Sequence, residues 1–197
     1  MKSILTILLA ATLLTSCGVL RPVEDRSVAH ILEATAPARN ITGSSPVIAV
    51  TRPSVPGYLD RQQLVTRTQS GNPVINNNQL WAESLDEGIA RVTAENLSRL
   101  RNSLNIQPVQ AFITVDYSYL LEIRITRFDA DAATRTVKLE CTWRLQPVSG
   151  RLAQARSFRT EVPIDDERFT PTSPQNARVA AMNEALGELA AVIARQL

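Results

Sequence analysis

The chain has 197 residues, 44% of them hydrophobic, and sets 21 lysines and arginines against 19 acidic residues for a net charge of +2. That length supports one domain with a sizeable core, and the near-balance of scattered charge argues against a nucleic-acid partner. One histidine and seven glycines supply neither a histidine-rich zinc set nor a phosphate-cradling loop.

Residues 1–16 have the layout of a secretory signal. Lys2 gives a positive start, Ile4 to Leu14 form an apolar stretch broken only by threonines, and small polar residues follow. The stretch is about half of the roughly 20 residues that span a bilayer. Leu14-Thr15-Ser16-Cys17 resembles a bacterial lipobox. The resemblance implies a diacylglycerol on the Cys17 thiol, cleavage just before Cys17 and usually an acyl chain on the new amino terminus, which meets the two-chain requirement for stable anchoring. The expected division is a signal peptide over 1–16, a lipidated tether over 17–26 and one domain over 27–197, with a charge of +1 once Lys2 is removed. Gly18, where an inner-membrane retention signal would carry aspartate, is compatible with transfer to the outer membrane. The alternative is a periplasmic protein whose cysteine stands there by chance.

Val28 to Leu32 reads as a short strand and Ala34 to Ser45 as a loop. Val47 to Thr51 is apolar and β-branched, as in a buried strand. Gln63 to Thr68 and Pro73 to Asn77 form a strand pair turned by Ser70-Gly71-Asn72, and the Asn76–Asn78 run reads as an exposed loop. Ser84-Leu85-Asp86-Glu87 matches a capping box. Leu85, Ile89, Val92, Leu97, Leu100 and Leu104 then recur near helical period, and Pro108 marks the stop.

Tyr117 to Ile125 and Val137 to Leu145 alternate apolar and polar residues, with Phe128 to Ala133 as the hairpin turn. Ser149-Gly150 turns into a third strand around Leu152 to Val162. Ser173 and Pro174 suit the N-cap and first position of a last helix. Its apolar stripe is Val179, Met182, Leu186, Leu189, Ile193 and Leu197. The expected fold is α+β: a two-layer sandwich, with a mainly antiparallel sheet covered by two amphipathic helices.

Catalytic motifs are missing. There is no G-x-S-x-G and no H-E-x-x-H, and lone His30 has no nucleophile set beside it. Cys141 lies in an alternating strand and reads as a buried structural thiol. Asp129 and Asp131 read as turn chemistry, with cation binding the alternative. Asp165-Asp166-Glu167 beside Arg168 reads as a solvated loop, with a docking patch or ion site the alternative. These residues point to a binding or structural role.

Two stretches carry a family resemblance. Pro53-Ser54-Val55-Pro56-Gly57-Tyr58-Leu59-Asp60-Arg61-Gln62-Gln63-Leu64-Val65-Thr66-Arg67 is one; Trp81-Ala82-Glu83-Ser84-Leu85-Asp86-Glu87-Gly88-Ile89-Ala90-Arg91-Val92 is the other. Together they resemble the ABC-type transport auxiliary lipoproteins, a PqiC-like family. The resemblance implies a non-catalytic outer-membrane lipoprotein, anchored on the periplasmic face, with no cofactor beyond the acyl groups on Cys17. It implies a membrane permease and a periplasmic MCE-domain protein as partners, a possible homo-oligomeric ring, and movement of lipids or other hydrophobic compounds between membranes. Tyr58, Arg61, Arg67 and Trp81 are of types enriched at interfaces and are the expected partner contacts. The alternative is that Asp60 and Arg61 hold a turn and Trp81 packs on the first helix. The rival functions are a lipoprotein that chaperones or plugs an outer-membrane assembly or export machine, and a periplasmic hydrolase, which would need a convergent polar pocket.

Overall fold

The computed structural model describes residues 26–37, 40–43, 46–109, 116–165 and 174–197. Cys17, the tether before Arg26, Asp166, Glu167, Arg168 and Ser173 lie outside the described residues. The elements run β1 (Val28–His30), β2 (Ile48–Val50), β3 (Gln63–Arg67), β4 (Pro73–Trp81), α1 (Leu85–Arg101), β5 (Ile106–Pro108), β6 (Tyr119–Asp131), β7 (Thr136–Pro147), β8 (Arg156–Pro163) and α2 (Pro174–Ala194).

The alternating stretches form the long strands. β6 and β7 pair antiparallel from Tyr119↔Pro147 to Asp131↔Thr136, and β8 adds antiparallel to β7. On one face Val137, Leu139, Cys141 and Trp143 are buried with Ile123, Ile125 and Phe128. On the other, Glu122 pairs with Arg144, Glu140 with Arg159 and Lys138 with Glu161, each directly across the ladder.

The free edge of β6 is filled by one continuous run of chain. β2 pairs parallel with Tyr119–Leu121, Ser54 exchanges backbone bonds with Ile123 and Ile125, and β3 pairs parallel with Ala130 and Asp131. β5 then extends β2, while β4 and β1 extend β3. The fold is α+β as expected. Among the described residues the sheet has eight strands and is mixed, its long pairs antiparallel and its short additions mostly parallel.

Both helices cover the sheet. α1 packs on β2, β5 and α2, while α2 packs on β6, β7 and β8. α1 begins after Ser84 as expected, but the serine side chain makes no capping bond. Arg52 pairs with Glu87, which removes the reciprocal half of the box, and the Ser84 carbonyl accepts the Gly88 amide at 3.0 Å. The helix stops at Arg101, before Pro108, because Asn102 turns left-handed at φ 51°. Leu104, expected in the apolar stripe, is therefore 57% exposed. On α2 the buried stripe is widened by Ala177, Ala181, Ala185 and Ala190, whose small side chains let neighbours close in on several sides.

Two expectations change, and one strand went unread. The Asn76–Asn78 run lies inside β4, where Asn76 Nδ2 donates to the Leu64 carbonyl at 2.8 Å beside a register shift. β5, three residues long, carried no alternation to reveal it. The turn expected at Phe128 to Ala133 falls later: β6 runs on to Asp131, and Arg135 takes the positive φ of 53°.

The chain from Leu32 to Ala36, which enters the segment read as a loop from Ala34 to Ser45, is held by the helices. Arg91 Nη2 donates to the Leu32 carbonyl at 2.8 Å, and Arg99 Nη1 to those of Ala34 and Ala36 at 3.2 and 2.8 Å. Asn96 Oδ1 accepts the amides of Thr35 and Ala36, and Asn183 Oδ1 that of Glu33. Extended backbone with few partners of its own is thus satisfied by side chains. It lies so close to α2 that a Cβ on Gly187 would sit 2.1 Å from Thr35 Oγ1. Gly187→Ala is expected to cost about 1–3 kcal/mol, and adding Thr35→Ala to recover part of it, measured by denaturant unfolding of the three variants.

Candidate functional site

β6 contains one irregularity that builds the polar centre. Its register with β7 shifts between Ile125 and Arg127, and a shift of one residue moves the following side chains to the opposite face. Phe128 and Ala130 then take the core side, where both are buried. Arg127, Asp129 and Asp131 fall in one row on the other side. That row is where Tyr58 and Arg67 arrive, because the Pro56 turn and β3 follow the same edge of β6.

Asp129 is fully buried. Its Oδ2 accepts the Tyr58 hydroxyl and Arg67 Nε, each at 2.9 Å, and its Oδ1 accepts Arg127 Nε at 3.0 Å. Arg127 Nη2 reaches Asp131 Oδ2 at 2.9 Å, Lys138 Nζ lies 3.5 Å from the same oxygen, and the Ala133 amide donates to Asp131 Oδ1 at 3.0 Å. Arg67 also donates to the Gly71 carbonyl and lies 5.3 Å over the Tyr58 ring. Bonds with ionised partners are the strong ones, and a buried carboxylate is tolerable only with this many.

The electrostatics follow. Burial pushes the Tyr58 phenol up, and the Asp129 charge adds to it. Burial also pushes the Asp131 carboxyl up, but the Ala133 amide, Arg127 and Lys138 outweigh it and hold the group below its ordinary 3.8. Burial pushes the Cys141 thiol up to about 12, so it is un-ionised at neutral pH and no nucleophile. His30 Nε2 bonds Gln79 Oε1 at 2.6 Å across the β1–β4 pair. Among the described residues no group of histidine, cysteine, aspartate and glutamate is arranged to hold a metal.

The two stretches that carry the family resemblance meet in a cleft of about 220 Å³ at the start of β3. Asp60 and Arg61 line it from the first stretch; Trp81, Glu83, Ser84 and Asp86 line it from the second. A backbone bond from Trp81 N to the Gln62 carbonyl, at 2.7 Å, clamps the stretches together. Three carboxylates against one guanidinium make the cleft acidic, though Glu83 is paired with Arg91, and Asp86 lies 4.0 Å from Arg52. Asp60 has no ion pair among the described residues.

Of the four residues singled out by type, Tyr58 and Arg67 join through Asp129, and Arg61 Nε donates to the Tyr58 carbonyl at 2.9 Å. Trp81 is 7% exposed, its ring in the core and only its rim on the cleft. Sequence reading missed Asp129, Arg127 and Lys138 as a unit. The signal was the apolar alternation resuming at Phe128 and Ala130, one residue out of step with Ile125.

The family model described as "ABC-type transport auxiliary lipoprotein component" matches residues 30–194. No curated protein matches the chain. The fold is similar to the crystal structure of an uncharacterized protein, with TM-score 0.63 and 20% identity, covering 85% of this chain and 99% of that one. It is also similar to a DUF330 protein from Xanthomonas campestris, with TM-score 0.59 and 19% identity, covering 84% and 91%. At such identities these likenesses speak for the fold alone.

Removing one partner of a buried ion pair typically costs about 3–5 kcal/mol. Arg67 and Arg127 side chains are 23% and 22% exposed and can regain water, so Asp129→Ala is expected near the low end, about 3 kcal/mol by denaturant titration. A carboxyl held low in the folded state stabilises above its unfolded value and loses that contribution as pH falls through the folded one. Stability carried by Asp131 is therefore expected to be complete above its ordinary 3.8 and to fall only below it. Asp131→Asn is expected to flatten that acid limb in a pH series of unfolding curves.

Proposed function

The chain belongs to the ABC-type transport auxiliary lipoprotein family, and we propose that it is the non-catalytic, lipid-anchored outer-membrane subunit of an MCE-type complex that moves lipids or other hydrophobic compounds between membranes. The observation that supports this most is the meeting of the two resemblance-bearing stretches, remote in sequence, in one acidic surface cleft. A cleft with an exposed carboxylate, a partly buried arginine and the edge of a tryptophan combines charge steering with an aromatic anchor, the make-up of a protein contact. The partner surface that complements it is basic, and we assign it to the periplasmic MCE-domain protein.

No helix among the described residues is long and apolar enough to cross a membrane. In this reading, attachment therefore falls to Cys17, acylated after removal of residues 1–16, with residues 17–26 as the tether. One copy needs no lipid tunnel of its own, and several copies side by side would place their clefts around the partner.

Arg61→Ala, in a chain shown to be folded by circular dichroism, is expected to reduce recovery of the MCE-domain protein and permease roughly tenfold, the effect of a contact worth about 1.4 kcal/mol. Unchanged recovery would contradict the interface. Cys17→Ser is expected to abolish metabolic labelling by palmitate and release the folded chain from the outer-membrane fraction on a density gradient. Continued sedimentation with that fraction would remove the lipid anchor from the account.

A further inference from the structure

One end of the sheet carries a row of exposed apolar side chains. Leu104, Tyr117, Val148 and Leu152 are 57%, 39%, 62% and 71% exposed. We propose that this rim rests on a phospholipid surface, its side chains inserted among the headgroups of the bilayer that holds the Cys17 anchor.

The backbone brings the four together. Across the starts of β5, β2 and β6 and the end of β7, Ile48 N donates to the Asn105 carbonyl at 2.8 Å, Ser118 N to that of Val47 at 2.9 Å, and Val148 N to that of Ser118 at 3.1 Å. Leu104 and Tyr117 each stand one residue before a member of this row. Leu152 is drawn to the same end by Gln146, whose Oε1 accepts the Ala153 amide at 2.9 Å and whose Nε2 donates to the Arg151 carbonyl at 3.4 Å. With strands about 4.8 Å apart, a row across four of them is about 15 Å wide. The described charged groups nearest to it in sequence are Arg101, Asp116 and Arg151, and residues 110–115 carry no charge.

The four residues lie on turns and bends outside the strands, not on a flat edge or face that another chain could extend. A stable protein contact takes about 800 Å² and about 20–30 residues from each partner, far more than this rim offers. A bilayer needs neither that area nor a matching shape. Aliphatic side chains and a tyrosine, apolar in body and polar at its tip, suit the boundary between headgroups and acyl chains. Arg101 and Arg151, both exposed, can lay their stems along that boundary with their charges in water. The tether is long enough to bring anchor and rim to one bilayer. From Cys17 to Val28 the chain spans at most about 36–40 Å. Val28 lies level with Arg127 through the β1–β4, β4–β3 and β3–β6 pairings, about 30 Å along β6 from Ser118. The inference rests on the lipid anchor proposed at Cys17, and adds to it a second contact that would fix how the domain is oriented on the membrane.

The rim is tested on the full acylated chain in vesicles of phosphatidylethanolamine and phosphatidylglycerol, with part of the lipid brominated in its acyl chains. A polarity-sensitive fluorophore is attached at Leu152→Cys, at Leu104→Cys or, as a control toward the other end of the sheet, at Val74→Cys. Cys141, buried and with its thiol pushed up to about 12, does not compete for the label. Brominated lipid is expected to quench the probe at positions 152 and 104 and to leave it bright at 74. Val148→Asp together with Leu152→Asp, in a chain still folded by circular dichroism, is expected to abolish the quenching at 104. No quenching at 152 and 104, equal quenching at 74, or quenching at 104 unchanged in the double variant overturns the proposal. A probe at 152 that is shielded from water yet unquenched assigns the rim to a protein contact and likewise overturns it. Vesicle flotation reads the anchor separately: a chain that floats without quenching fails the rim alone, and a chain that does not float fails the anchor and the rim with it.

Discussion

The buried carboxylate of Asp129 is the interaction on which the rest depends. It ties together three parts of the chain that no long ladder joins: the Pro56 turn through Tyr58, β3 through Arg67, and β6 through Arg127. β3 shares only two register positions with β6, too few to hold the β3–β4 hairpin by backbone bonds alone. A charge buried without partners would cost far more than any single bond returns, so the donors come as a set or not at all. The acidic cleft lies at the start of the short strand that this carboxylate holds. The exposed pairs on the outer face differ in kind. Arg144 and Glu122 are each 35% exposed, and pairs of that sort contribute about 0–1 kcal/mol.

A second constraint acts on the helical layer. The stretch from Leu32 to Ala36 has no strand partner, yet carbonyls and amides along it are taken up by Arg91, Asn96, Arg99 and Asn183. Asn96 is fully buried on a helix face that it shares with Thr93, Ser98 and apolar residues. A polar residue at that depth persists because it receives two backbone amides. The outcome is that the chain leaving β1, the element nearest the expected tether, is fastened to both helices before it enters the sheet again.

Much of this was legible in the sequence, for reasons that differ by element. The alternation from Tyr119 to Leu145 survives because one face is wet and the other is buried, and the start of α1 is marked by acids that suit its dipole. β1 and β2 were legible as short apolar runs, but three residues each leave no period to tell their parallel pairing, and β5, equally short, went unread. The turn placed at Phe128 was wrong because a bulge slips the pattern by one residue, and that slip creates the site. Tyr58, Arg61 and Arg67 were picked out by type and lie together. What their types could not reveal is that Tyr58 and Arg67 face inward, onto a carboxylate 62 or more positions away in sequence.

The functional account joins an anchor expected at Cys17 to a domain with an acidic cleft at the start of β3 and an exposed apolar rim at one end of the sheet. Its central claim is that the acidic cleft receives the transport partner. Site-specific photo-crosslinking in the intact envelope tests this most directly, with the reactive residue placed at Asp60 and, as a control, at Leu152, which is 71% exposed and far along the chain. The account predicts an adduct between position 60 and the MCE-domain protein and none from position 152. An adduct from position 60 to an outer-membrane barrel instead, or no difference between the two positions, would contradict it.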